Sequence, residues 1–134
     1  MIYLQEAQAL MLIEEARQAS LNTYSPYSNY PVGAAVLTKS GNIYRGTNIE
    51  NASYGVTICA ERLAIGNALS HADHEIIAIG IYANTNSISP CGACRQFIIE
   101  FGKGIIIVFK QDNEITQRTI GDLLPFSFTK DTME

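Results

Sequence analysis

The chain has 134 residues, a size that suits one domain and not two. Lys and Arg number 9 against 13 Asp and Glu, a formal net charge of −4, which argues against binding nucleic acid through its phosphates. Charged residues are 16% of the chain, below the usual share of about 25%, so part of the exterior is expected to be apolar and covered by other subunits.

In chain order, Ile2 to Ser20 carries Leu4, Ala7, Leu10, Met11 and Ile13 among polar residues, without Gly or Pro, and reads as a surface helix. Thr23-Tyr24-Ser25-Pro26-Tyr27-Ser28-Asn29-Tyr30-Pro31 breaks it and places several tyrosines in a loop. Val32 to Thr38 and Ile43 to about Asn48 are strand-like and flank Lys39-Ser40-Gly41-Asn42, which predicts a hairpin. Cys59 to Ser70 returns to helical spacing, with Leu63, Ala64 and Ala68 as the inward stripe. Glu75 to Ala83 is a continuous apolar, β-branched run, the pattern of a strand buried on both faces.

Ser89-Pro90 resembles a helix start, with Ser89 as cap and Pro90 in the first turn, and that helix would run to about Phe101. Ile105 to Lys110 is a second buried strand, Gln111 to Glu114 a turn, and Thr119 to Leu124 a short helix stopped by Pro125. This order predicts one domain over residues 1–134, an α/β fold with three α/β/α layers around a mixed central sheet. No stretch approaches the roughly 18 apolar residues that would span a bilayer. The N-terminal residues lack a basic region before an apolar run, and an odd cysteine count does not suit a disulfide framework, so a reducing cytoplasm is expected.

All three cysteines fall at predicted helix starts: Cys59 opens one helix, and Cys91-Gly92-Ala93-Cys94 opens another. Exposed N–H groups and the helix dipole there favour thiolate, the form that binds zinc. A single CxxC is shared by redox and structural zinc sites. A third cysteine adds meaning, because three protein ligands leave a tetrahedral position open for water, as in catalytic zinc sites. Glu61 lies two residues after Cys59, about 200° around a regular helix. Both can face one metal only if it sits off the helix end. From there a carboxylate can move protons for a reacting water.

Cys59-Ala60-Glu61 followed by Pro90-Cys91-Gly92-Ala93-Cys94 resembles the zinc-dependent cytidine deaminases, and the likeness runs from about Tyr24 to Phe128. Asn48-Ile49-Glu50-Asn51-Ala52 and the Arg95-Gln96 that follows Cys94 belong to it. With Cys in the first ligand position, the chain is similar to the short homotetrameric branch. The resemblance implies one zinc per subunit on Cys59, Cys91 and Cys94, with Glu61 as the proton carrier. It also implies that Asn48 and Glu50 hold the ribose, with the Glu50 carboxylate accepting from the 3′-hydroxyl, that the Ala60 N–H meets the base O2, and that the Ser89 carbonyl accepts from the amino group.

Three thiolates and Zn²⁺ sum to −1, a poor charge for activating water, and Arg62 resembles the family arginine that draws charge from the sulfurs. A solvated helix arginine is the alternative. Asn48 and Glu50, two apart on a predicted strand, would share a face. Tyr30 stands where the family commonly has a stacking Phe, which bears on fine substrate preference. Phe128 matches an aromatic that reaches a neighbouring subunit's pocket. Phe126 is a second candidate, and core packing competes for both. His71 and His74, at a predicted helix end, suit the helix dipole better than a metal.

The expected reaction is hydrolysis of cytidine and 2′-deoxycytidine to uridine and 2′-deoxyuridine with release of ammonia, as in pyrimidine salvage. The expected partner is a free nucleoside, without nucleic acid or membrane. The rivals are a deaminase for a modified cytosine nucleoside of the blasticidin type and a structural zinc module. The second of these needs a fourth ligand and leaves Glu61 unexplained.

Overall fold

A computed structural model describes residues 3–133. Its elements are α1 (Glu6–Ser20), β1 (Val32–Thr38), β2 (Ile43–Thr47), α2 (Ala60–Ser70), β3 (Ile76–Ala83), α3 (Gly92–Ile99), β4 (Ile106–Gln111), β5 (Glu114–Thr119) and α4 (Ile120–Leu123), with 3₁₀ turns at Tyr54–Val56 and Lys130–Met133. The five strands form one sheet in the order β2-β1-β3-β4-β5. β3 and β4 are parallel and joined through α3, while the other neighbours are antiparallel. The mixed sheet expected from sequence is therefore present.

The period-2 alternation of the strands sorts the core into two halves. Ala34, Val36, Ile79, Ile81, Ile107 and Phe109 pack against α2, α3 and α4. Their neighbours Ala35, Ala78, Ile106 and Val108 pack against α1. A strand such as β3 must be apolar at nearly every position because both its faces are covered.

Two glycines set how close the helices lie. A Cβ on Gly33 would stand 1.8 Å from the Ala16 carbonyl oxygen of α1, and one on Gly46 would stand 2.4 Å from the Ala64 nitrogen of α2. The second contact brings the first turns of α2 directly onto β2. The loops before and after that helix are thereby held at fixed height above the sheet.

Several boundaries differ from the sequence reading. The first helix begins at Glu6, not Ile2, which lies outside the described residues. Leu4 is outside the helix because its backbone N–H and C=O pair with the Gln117 side chain of β5. Its buried stripe is Ala9, Leu12, Ile13, Ala16 and Ala19, whereas Leu10 and Met11 are exposed. In α2, Ile65 is buried and Leu63 only half-buried. The cap of α3 is Cys91, not Ser89: its Sγ accepts from the Cys94 N–H at 3.4 Å, so the helix starts at Gly92. The strand β5 was not expected from its polar composition. Asp112 and Asn113, both at positive φ, form the tight turn that folds it back on β4.

Candidate metal centre and cavity

The sulfurs of Cys59, Cys91 and Cys94 lie within 4.8 Å of one another. Cys59 is the N-cap of α2, Cys91 the N-cap of α3, and Cys94 sits in the first turn of α3. Two helix N-termini thus converge on one point, each adding unpaired N–H groups and positive potential. A tetrahedral zinc with bonds of about 2.3 Å would draw its sulfurs to roughly 3.8 Å apart. The three thiols need only a small closure to reach that, and the donor set fits zinc.

Hydrogen bonding already polarises the trio. The Cys59 thiol is held well below its ordinary pKa, chiefly by the Cys94 thiol donating to it and then by Arg62. Cys94 is pushed up by donating to that thiolate and by burial. Arg62 Nη2 lies 3.6 Å from Cys59 Sγ and 3.3 Å from the Thr57 carbonyl oxygen. Its Nε is buried without a partner.

Glu61 is 5% exposed, the one buried carboxylate among the described residues. Burial raises its pKa, and the Cys59 charge raises it further. In the first turn of α2 it faces the same space as Cys59, as a site off the helix end requires.

A cavity of about 220 Å³ is lined by Asn48, Glu50, Cys59, Ala60, Glu61, Ser89 and Cys91, with Val32, Thr57, Ile58, Ile81 and Ile88 as its remaining wall. That is below the roughly 300–1,000 Å³ of most small-molecule sites. A wider hollow of about 400 Å³ near α1 has Arg17 as its one charged lining group. Arg17 is committed there to Glu14 at 2.8 Å.

Asn48 and Glu50 lie beyond the end of β2, not on a strand as expected, yet both reach this cavity. Between them Ile49 bridges to Tyr24 and Ile58, which ties the segment to the tyrosine loop and to the approach to Cys59. The Asn48 amide oxygen accepts from Thr23 Oγ1 (2.6 Å) and the Val32 N–H (3.1 Å), and its Nδ2 donates to the Tyr30 carbonyl (2.8 Å). The Glu50 carboxylate accepts from the N–H groups of Tyr27 and Ser28 and from the Ser28 hydroxyl. These contacts of Thr23, Tyr27 and Ser28 carried no sequence signal, since each partner is more than 20 residues away.

Tyr30 is exposed and is not among the residues that line the cavity; its carbonyl holds the Asn48 amide, which does line it. Phe128 (63% exposed) and Phe126 (106%) are outside the core of this chain, and neither lines the cavity. Core packing is thus excluded for both. Tyr24, Tyr27, Tyr54 and Val56 are likewise large apolar or aromatic side chains left exposed. His71 caps α2, with Nδ1 2.8 Å from the Asn67 carbonyl and its ring against Tyr44, and neither it nor His74 joins the cysteine cluster. No helix among the described residues is long and apolar enough to cross a membrane.

Three thiols on two helix starts, a buried carboxylate beside them and a small cavity in front define a zinc hydrolase centre on a mixed α/β/α sheet. The family described as the cytidine and deoxycytidylate deaminase zinc-binding region matches residues 6–110, and the chain belongs to it. It is 45% identical over 126 residues to a cytidine deaminase of Halalkalibacterium halodurans, covering 92% of this chain and 96% of that protein. A crystal structure of cytidine deaminase from Burkholderia pseudomallei superposes with a TM-score of 0.84 at 41% identity, over 93% of this chain and 100% of that one. A Bacillus cereus protein named blasticidin-S deaminase is 30% identical over 132 residues, 92% of this chain and 94% of that protein.

Proposed function

We propose that this protein is a zinc-dependent hydrolase that converts cytidine and 2′-deoxycytidine to uridine and 2′-deoxyuridine with release of ammonia. The observation that carries the reading is one cavity lined both by Cys59, Cys91 and the buried Glu61 and by Asn48 and Glu50. A base and its sugar need those two kinds of wall.

Cys59, Cys91 and Cys94 would hold the zinc, which when bound supplies the Lewis acidity that makes water a nucleophile near neutral pH. Arg62 offsets part of the sulfur charge through its bond to Cys59. Glu61 would take one proton from the water that attacks C4 and deliver it to N3, then take the second from the new C4 hydroxyl and deliver it to the departing amino group as the C4–N bond breaks. Its raised pKa suits a group that must both accept and donate in one cycle. The Ala60 N–H, in the first turn of α2 and without an intrahelical acceptor, is available to the base O2. The carbonyl of Ser89, which lines the same cavity, would accept from the exocyclic amine. Asn48 and Glu50 would bind ribose hydroxyls, and Tyr30 would stack near the base.

The exposed Phe126 and Phe128, with the exposed Tyr54 and Val56, support assembly into a homotetramer in which one of the two phenylalanines enters a neighbour's cavity. The net charge of −4 and the small cavity favour a free nucleoside over a polymer. We place the enzyme in pyrimidine salvage in the cytoplasm, where three free thiols stay reduced.

The blasticidin-type reading keeps support from the 30% identical relative, but the relative at 45% favours cytidine. The test follows the fall in ultraviolet absorbance as cytidine or blasticidin S is incubated with zinc-loaded enzyme, with and without a chelator. Turnover of cytidine, lost on chelation and restored by zinc, is expected. Full cytidine turnover by Glu61→Ala would overturn the mechanism, and turnover of blasticidin S alone would overturn the substrate.

A further inference from the structure

We propose that Ser28 is a positioning residue that orients the Glu50 carboxylate for a single sugar hydroxyl. The proposal rests on the reading of Glu50 as a ribose-binding group.

A carboxylate offers about four acceptor sites, two on each oxygen. On Glu50, Oε1 takes the N–H groups of Tyr27 (2.9 Å) and Ser28 (3.1 Å), and Oε2 takes the Ser28 hydroxyl. Three sites are filled, which leaves one on Oε2 for a ligand in the cavity that Glu50 lines. The two backbone donors hold Oε1, and only the Ser28 hydroxyl holds Oε2. That hydroxyl also accepts from the Tyr30 N–H at 3.1 Å, so its own proton is directed to Glu50. Removing it leaves Glu50 tethered by one oxygen and free to turn the other. The same donors keep the carboxylate below its ordinary pKa, with the Ser28 side chain as the largest cause.

The test compares 2′-deoxycytidine with 2′,3′-dideoxycytidine, which differ only in the 3′-hydroxyl, on zinc-loaded enzyme. Losing one charge-assisted hydrogen bond predicts that Ser28→Ala raises KM for 2′-deoxycytidine about fivefold to tenfold. Its kcat should stay within about twofold, its KM for the dideoxy substrate should not move, and Ser28→Thr should restore the original value. If the alanine variant does not fold, Ser28→Cys, with a weak donor in the same place, gives the same reading. A parallel rise in both KM values would mean that Ser28 acts through Tyr30 or the loop fold, and no rise would mean that it does nothing for Glu50. Either result overturns the proposal. Glu50→Ala separates the two levels of inference. If it discriminates the substrates while Ser28→Ala does not, only the positioning role falls. If Glu50→Ala affects both substrates equally, the ribose role of Glu50 falls and the Ser28 proposal with it.

Discussion

Arg62 and Cys59 stand one helical turn apart on α2, with the guanidinium Nη2 3.6 Å from the sulfur that caps the helix. The helix dipole and the arginine therefore act on the same thiolate from two sides. The same Nη2 also donates to the Thr57 carbonyl at 3.3 Å, which fixes the guanidinium beside the helix start.

This pairing predicts the behaviour of Arg62→Ala. Zinc content, measured by metal analysis, should remain at one per subunit, because the three sulfurs are untouched. With the sulfur charge no longer offset, the acidic limb of the pH–rate profile should move to higher pH. Activity at neutral pH should fall about 10- to 100-fold, as for other groups that support metal ligands. An unmoved profile would show that the arginine only braces the Thr57 carbonyl.

Glu61 predicts a conflict between activity and stability. Its folded pKa lies above the unfolded value, so in the window between the two the native state binds more protons. Native stability then falls as pH rises through that window, and the loss persists at neutral pH. In the metal-free protein, Glu61→Gln should raise Tm at pH 7 relative to wild type, and the advantage should vanish at a pH below the unfolded carboxyl value of about 4.3. The same substitution should lower kcat of the zinc-loaded enzyme by about 10²- to 10⁴-fold. A lower Tm for the glutamine variant at pH 7 would contradict the burial argument.

Asp73 predicts an acid-sensitive tie between two loops. Its Oδ2 accepts from Thr38 Oγ1 (2.8 Å), Ser40 Oγ (2.7 Å), Asn42 Nδ2 (3.2 Å) and Tyr44 Oη (2.9 Å), which pins the β1–β2 hairpin to the start of the β3 connection. These donors, the Ser40 hydroxyl first and Thr38 next, lower the Asp73 pKa to about 2. A depressed carboxylate contributes stability that is present above its unfolded pKa and lost as pH falls through the folded one. Asp73→Ala should lower Tm at pH 7, and the difference from wild type should shrink between about pH 4 and pH 2. A difference that stays constant over that range would assign the effect to packing.

The metal ligands were legible because their geometry is local. A cysteine before a helical run becomes an N-cap wherever the helix is placed, and Cys91 with Cys94 closes its own hydrogen bond within that turn. Glu61, inside the first turn, inherits its position from Cys59. Buried strands were legible for a similar reason: a run such as Ile76–Ala83 suits a site covered on both faces. β5 was not legible, since Glu114–Thr119 is polar and is a strand only because β4 offers it an edge. The α3 cap was not legible, because Ser89-Pro90 carries the usual signal for a helix start while the sulfur of Cys91 two residues later takes the role.

The amino-acid sequence by itself thus determined the cysteine cluster, the carboxylate beside it and the layered α/β class, all properties of short segments and their periodicity. Only the tertiary structure decided that Asn48 and Glu50, beyond the end of β2, line the same cavity as Cys59, Cys91 and Glu61. It also decided that Ser28 and Tyr27 occupy three of the Glu50 acceptor sites, and that Phe126 and Phe128 stand outside the core. Those are contacts between distant segments. Their partners are chosen by how α1, the tyrosine loop and α2 dock on the sheet, with Gly33 and Gly46 setting the approach, and no local propensity encodes that docking.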